Sequence, residues 1–441
     1  MKTIGIIAEY NPFHNGHAYQ INEIKKRTNA DYVVIAMSGD FVQRGTPAII
    51  DKYARAKMAL CCGADLVIEL PTVWATASAE SFAMAGVTIF DKMGCIDELC
   101  FGAETENLPL LSMLAETLAD EPVEYQKLLS SYLKEGLVFP AARTKALCEH
   151  LGSDAVSSIL NEPNNILAVE YLKALKRRTS SIMPYLLKRE GASYHNVKIL
   201  TDTSAPTASA TAIRKLLLNT GTGSVLQQES CVIPHSNACT TSQENTSNIT
   251  EGLTSSMPAV AKEILISYLN SRPLVQTDDF SSVLGYRLLN TSKEELADIG
   301  DCNPDIANRI FKNRTQFSSF ENFCELNKSK DTTYTRINRI LLHLILGITN
   351  QDYIQAKSFD YIPYLRILGF RKDSSALLKG LKASASVPVI SKLADASSLL
   401  SEDAMWLLEK DIFAADLYEQ LCSIKKKTTP RSEYTREIVR I

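Results

Sequence analysis

TIGIIAEYNPFHNGHAYQ, residues Thr3 to Gln20, changes character halfway along. Its first half, with Ile4, Ile6 and Ile7, has the length and β-branched content of a buried strand, and asparagine and proline in Glu9-Tyr10-Asn11-Pro12 break it. His14, Gly16 and His17 follow, in residues that read as a helix running to about Lys26. The histidines therefore stand where a helix leaves a loop, an end whose free backbone N–H groups and partial positive charge suit a phosphate chain. Two imidazoles three residues apart project to one side, and the glycine between them lets a ligand approach the backbone. Such a pair can donate hydrogen bonds to phosphoryl oxygens, stabilising charge on a pentavalent phosphorus and on departing pyrophosphate. Taken alone, H-x-x-H on a helix is also the pattern of a polar surface or of half a metal site.

The chain then alternates. Tyr32 to Met37, Asp65 to Leu70 and Glu98 to Phe101 read as near-continuous apolar strands, separated by helical stretches at 48–62 and 78–93. Strands of this kind belong to a parallel sheet covered on both faces, and ligands collect at the carboxyl edge of such a sheet. The loops at that edge carry polar groups. Ser38-Gly39-Asp40-Phe41-Val42-Gln43-Arg44-Gly45 sets a carboxylate, an amide and a guanidinium between two glycines. Asp40 and Arg44 read either as a cap and a solvated charge or as contacts to phosphate or acceptor. Gly102, at the next strand end, would let an adenine or ribose lie against the backbone, with Glu104 two residues on left unassigned. Residues 107–150 carry leucines at helical spacing and form a helical insertion, and Asn164 stands at the start of a further helix, where it reads as an N-cap. A last strand, Ile182 to Leu187, leads to Arg189, whose planar fork suits two phosphate oxygens.

Asn11-Pro12-Phe13-His14-Asn15-Gly16-His17 resembles the N-P-x-H-x-G-H signature of the nucleotidyltransferase superfamily. The longer stretches AEYNPFHNGH, SGDFVQRG, GADLVIELP, LCFGAE and EPNNILAVEY are similar to one family within it, the bacterial tRNA(Met) cytidine acetate ligases, over most of residues 1–215. The resemblance implies an ATP site formed by Ile7, Ala8, Glu9, Tyr10, Asn11, Pro12, Phe13, His14, Asn15, Gly16, His17, Ala18, Tyr19 and Gln20 with Gly102, Asn164 and Arg189, in which His14 and His17 are catalytic. Ser209-Ala210-Thr211 followed by Arg214 resembles the superfamily's second signature, which closes over the triphosphate; here its middle hydroxyl residue is alanine.

Composition sets limits. The chain of 441 residues has room for two or more domains, and its net charge of -3 makes any RNA site a patch on an otherwise near-neutral surface rather than a uniformly basic face. Ten scattered cysteines without paired CxxC spacing read as reduced, buried thiols, which with the lack of any long apolar run predicts a cytoplasmic protein with no membrane association. From 221 to 256 the composition turns to Ser, Thr, Asn, Gly and Gln, as in a linker. Residues 257–441 read as mostly helical, with Arg336 and Arg339 opening an apolar helix and Arg366, Arg371, Lys372, Lys379 and Lys382 beyond it. Such residues are either solvated faces or, with Tyr334 to stack a base, contacts to RNA. Lys425 to Lys427 read as a frayed tail or a further phosphate contact.

The expected architecture is therefore an α/β, Rossmann-like nucleotidyltransferase domain at 1–220, followed by a linker and a helical, RNA-binding region. Its residues point to adenylate formation. The resemblance adds acetate as the acid, elongator tRNA(Met) as the acceptor at N4 of its wobble cytidine, and no DNA; magnesium is expected with ATP, with no protein ligands assigned to it. A small-molecule adenylyltransferase and a non-enzymatic, ATP-sensing RNA-binding protein are the competing readings.

Overall fold

A computed structural model of the chain describes residues 1–189, 209–219 and 252–441. The stretch at 190–208 that holds His195, and all but the last few residues of the 221–256 linker, lie outside the described residues. The first half builds β1 (Thr3–Ala8), α1 (Asn15–Thr28), β2 (Tyr32–Ser38), a two-stranded ribbon of β3 (Phe41–Val42) and β4 (Thr46–Pro47), α2 (Lys52–Cys61), β5 (Leu66–Leu70), the short α3 (Thr72–Ala75), α4 (Ala79–Met93) and β6 (Glu98–Ala103). A helical insertion follows, α5 (Leu108–Asp120), α6 (Val123–Lys134), α7 (Phe139–Leu151) and α8 (Ala155–Leu160), and then α9 (Pro163–Arg177), β7 (Met183–Lys188) and α10 (Ala210–Asn219).

The strands β5, β2, β1, β6 and β7 lie side by side in that order and run parallel. Both faces of the sheet are covered. Along β2, Val33, Ile35 and Met37 pack into one apolar cluster while Val34 and Ala36 pack into the other, as the two-residue period of a strand requires. The helix expected from 48 begins only at Lys52, because Thr46–Pro47 pairs with Phe41–Val42; Asp51 caps it, accepting the Ala54 N–H at 2.8 Å.

Residues 257–441 are mostly helical, and they also contribute three strands to the sheet. Helices Ala259–Ser271, Ser281–Asn290, Pro304–Asn313, Phe320–Asn327, Tyr334–Leu346 and Glu402–Lys426 are there, but Leu365–Phe370 forms β8, Val389–Ile390 β9 and Val439–Arg440 β10. β8 pairs antiparallel with β5, and β9 and β10 pair with β8, so the far end of the chain extends the sheet that the near end begins. Arg366 consequently has no surface to offer RNA. It is buried in a cluster where Lys52 Nζ lies 2.7 Å from Glu69 and 2.7 Å from Glu433, and Arg366 bonds the same two carboxylates. Lys425 is no frayed tail either, since its Nζ pairs with Asp279 at 2.7 Å.

Candidate active site

Sheet order reverses beside β1: the chain steps outward to β2 and β5 on one side, and to β6 and β7 on the other. The crevice at the carboxyl ends of β1 and β6 is where a doubly wound sheet binds ligands. A cavity of about 270 Å³ opens there. Ten residues of the expected run line it, from Ile7 to Asn11 with His14, Gly16, His17, Tyr19 and Gln20, together with Gly102, Asn164 and Arg189. Pro12, Phe13, Asn15 and Ala18 stand back: Phe13 is fully buried with its ring 4.9 Å from that of Tyr10, and the Asn15 amide donates to Ser255 O at 2.9 Å.

The histidines sit differently from two residues of one helical turn. His14 is the N-cap of α1, with extended backbone, and its Nδ1 accepts the Gly16 N–H at 3.1 Å; His17, three residues on, turns its Nδ1 back to accept the His14 N–H at 3.2 Å. The pair thus forms a reciprocal capping box, and the rings stack with centroids 3.6 Å apart. A backbone N–H always donates, so each Nδ1 must hold a lone pair and the proton of each neutral ring belongs on Nε2. Burial, with Arg189 and Arg214 nearby, pushes His14 down to about 3, and burial beside His14 and Arg189 likewise drives His17 well below its ordinary value. The result is two neutral imidazoles, each with an N–H donor at its outer edge. That arrangement offers hydrogen bonds to phosphoryl oxygens without adding a protonation step.

Cations close the other sides. Arg189 donates to Asn164 Oδ1 at 3.3 Å, and a Cβ on Gly102 would come within 3.1 Å of its Cγ, so the bare glycine admits the arginine stem. Asn164 does not cap its helix, which starts at Glu162-Pro163; its amide donates to Glu104 Oε1 at 2.5 Å, turning the amide oxygen toward Arg189. Glu104 is held in turn by the Asn165 N–H at 3.0 Å, while Asn165 Oδ1 accepts the Glu104 N–H at 2.9 Å. The carboxylate left unassigned from sequence therefore orients a residue of the cavity wall. Arg214 lines the cavity too, donating to Asn11 O at 2.6 Å and to Thr211 Oγ1 at 3.1 Å. Ser209 also lines it, and its Oγ accepts the Ala212 N–H at 3.3 Å at the start of α10.

Asp40 is a structural anchor: it is buried, does not line the cavity, and accepts the Lys52 N–H at 2.8 Å. Arg44 is exposed at the tip of the ribbon, close enough to Arg214 to act on its charge. Two groups escaped sequence reasoning. Phe82, Phe101, Leu167 and Tyr171 make one apolar wall of the cavity, yet on a helix or strand they are indistinguishable from core positions. Arg55, fully buried, donates to the carbonyls of Glu9 at 2.6 Å, Ser38 at 3.0 Å and Ile50 at 3.1 Å, and to that of Gly39, pinning the cavity floor from below.

The residues expected at RNA do not share one face. Arg336 and Arg339 stand beside the ribbon, near the carboxyl edge, where Arg339 Nε donates to Asp301 at 2.7 Å and Arg336 to the Asp301 carbonyl at 3.1 Å. Arg371 and Lys372 follow β8, which runs against the parallel strands, and so lie at the amino edge: the Arg371 N–H donates to Asp65 O, and the Lys372 N–H to Ile441 O.

A parallel α/β sheet with a helix-capping histidine pair over a cationic crevice defines a nucleotidyltransferase-type protein, and the family model described as HIGH Nucleotidyl Transferase matches residues 1–433. Within that class the similarity narrows sharply. The chain is 39% identical over 419 residues to a tRNA(Met) cytidine acetate ligase of Thermoanaerobacter sp. (strain X514), covering 95% of each, and 36% identical over 441 residues to that of Acetivibrio thermocellus, covering 100% of each. The crystal structure of Thermotoga maritima TmcAL bound with alpha-thio ATP superposes with a TM-score of 0.85 at 28% identity, covering 100% of both chains. The chain belongs to the tRNA(Met) cytidine acetate ligase family.

Proposed function

We propose that this chain is an ATP-dependent ligase that activates acetate as acetyl-adenylate, releasing pyrophosphate, and transfers the acetyl group to N4 of the wobble cytidine of elongator tRNA(Met). The observation that carries the reading is the histidine pair. Both Nδ1 atoms are occupied by backbone N–H groups, so both Nε2–H groups are free to donate. With Arg189 and Arg214 they form a donor set for a triphosphate whose charge grows as pyrophosphate leaves.

Acetate attacks the α-phosphorus, and the side chains position and stabilise rather than bond. Magnesium would enter with the phosphates of ATP as part of the substrate and would neutralise part of their charge as acetate approaches. For the acceptor, Arg44, Arg336 and Arg339 are grouped on the cavity side, whereas Arg371 and Lys372 would serve only an RNA that reaches around the end of the sheet. No helix among the described residues is long and apolar enough to cross a membrane, and the unpaired state of the cysteines there suits the cytoplasm.

Incubation with labelled ATP, acetate and bulk tRNA tests the proposal. AMP, pyrophosphate and acetylated RNA should appear together. AMP retained in a small product would make the chain an adenylyltransferase, and no turnover would make it a binding protein.

A further inference from the structure

Acetyl transfer to an exocyclic amine releases a proton, and that proton needs an acceptor. In the function proposed above, on which this inference rests, N4 bonds to the acetyl carbonyl carbon. The bond from that carbon to the AMP phosphate oxygen breaks with its electron pair leaving on AMP, and nitrogen sheds one proton. Few groups in the cavity can take it. His14 and His17 have their lone pairs on Nδ1, where each already accepts a backbone N–H. Arg189, Arg214 and Lys188 are cations without a lone pair to offer.

Among the described residues that line the cavity, Glu9 is the one carboxylate. It is held at both ends: its backbone carbonyl accepts from Arg55 at 2.6 Å, and its Oε1 accepts the Gln43 N–H at 2.9 Å. Among the described residues Oε2 has no hydrogen-bond partner, which leaves a fixed carboxylate with one free oxygen at the end of β1. We propose that Glu9 is the general base of the transfer half-reaction, its Oε2 taking the N4 proton as the C–N bond forms.

The two half-reactions separate the outcomes. Acetate-dependent ATP–pyrophosphate exchange reads adenylate formation, and acetylation of tRNA by the same full-length enzyme reads transfer. Glu9→Gln keeps an acceptor for the Gln43 N–H but cannot take the proton. It should lower transfer by about 10²- to 10³-fold, the usual worth of a general base, and by at least tenfold more than it lowers exchange. Equal losses in both steps would assign Glu9 to ATP instead, and unchanged transfer would remove it from the chemistry; either result overturns the proposal. If Glu9→Gln fails to fold, Glu9→Asp carries the same test, because the shorter arm withdraws the carboxylate and transfer should again suffer more than exchange. A wild-type enzyme that exchanges pyrophosphate without acetylating tRNA would refute the functional reading itself, a result distinct from either of these.

Discussion

Neutralising Glu433 should destabilise the whole molecule, although it lies far along the chain from the strands it supports. Glu433 is 5% exposed and faces two buried cations, Lys52 at 2.7 Å and Arg366, which both also meet Glu69, with Asp40 3.8 Å from Lys52. Burial alone would raise its carboxyl; Lys52 and Arg366 outweigh that and hold it at about 2. Measured against an ordinary glutamate near 4.5, that depression corresponds to about 3 kcal/mol. Breaking a buried ion pair from one side costs about 3–5 kcal/mol by a separate route, so the two agree. The magnitude can be read as a melting shift. At about 2.1 cal/mol/K of unfolding entropy per residue, Glu433→Gln should lower the thermal midpoint of the full chain by about 3–4 °C at pH 7. The sign with pH follows from a depressed folded-state value: the contribution is complete above about pH 4.5 and is lost as pH falls toward 2. The gap between wild type and variant should therefore close over that window. A midpoint within 1 °C of wild type at pH 7, or a gap that widens in acid, would refute the reasoning.

Four further outcomes follow from the site. His17→Ala removes one of two Nε2–H donors and should slow acetate-dependent pyrophosphate exchange by about 10²- to 10³-fold, with the thermal midpoint showing whether the enzyme still folds. Nitrogen-detected NMR of the ligand-free enzyme at pH 6 should find His14 and His17 neutral and protonated on Nε2, because His14 lies near 3 and His17 well below its ordinary value; an imidazolium signal would contradict the capping box. Glu104→Ala frees the Asn164 amide to turn and should raise the ATP KM by about tenfold with less effect on kcat, as steady-state kinetics would show. Gly45→Ala meets both a φ of 73° and the Arg339 backbone N at 2.4 Å from the new Cβ, so it should cost at least about 1–2 kcal/mol in thermal stability and depress acetyl transfer.

Much of this was legible because local chemistry and fold agree. β1 and β2 are apolar on both faces, so their strand character shows without knowledge of partners, and the glycine and proline at their ends mark the edge where ligands gather. His14 and His17 are likewise visible as a pair, but their capping box depends on backbone angles at His14 that no spacing reveals. What stayed hidden is long-range. Arg366 reads as one more basic residue until β8 carries it against Glu69, and Asp40 reads equally as a cap or a ligand contact until the Lys52 N–H claims it. In sequence Arg371 and Lys372 continue the basic run begun by Arg336, because sequence proximity does not record that β8 runs antiparallel, which sends them to the opposite edge.

A contact between distant parts of the chain also reaches the cavity. The helix Tyr334–Leu346 touches the ribbon directly: Asn338 donates to Arg44 O at 3.1 Å, and its backbone leaves room at Gly45 for nothing larger than hydrogen. One residue before Arg44, the Gln43 N–H holds the Glu9 carboxylate at 2.9 Å in the cavity. From the helix bearing Arg336 and Arg339 to the end of β1 there are thus only two hydrogen-bonded steps, both through backbone of the same short ribbon. A ligand that shifts the helix must shift the ribbon, since the close approach at Gly45 leaves no slack, and a shifted ribbon moves the donor that fixes Glu9. The helix Tyr334–Leu346 is therefore built into the wall of the cavity rather than tethered to it, so a displacement of the helix reaches the Glu9 carboxylate through two rigid contacts.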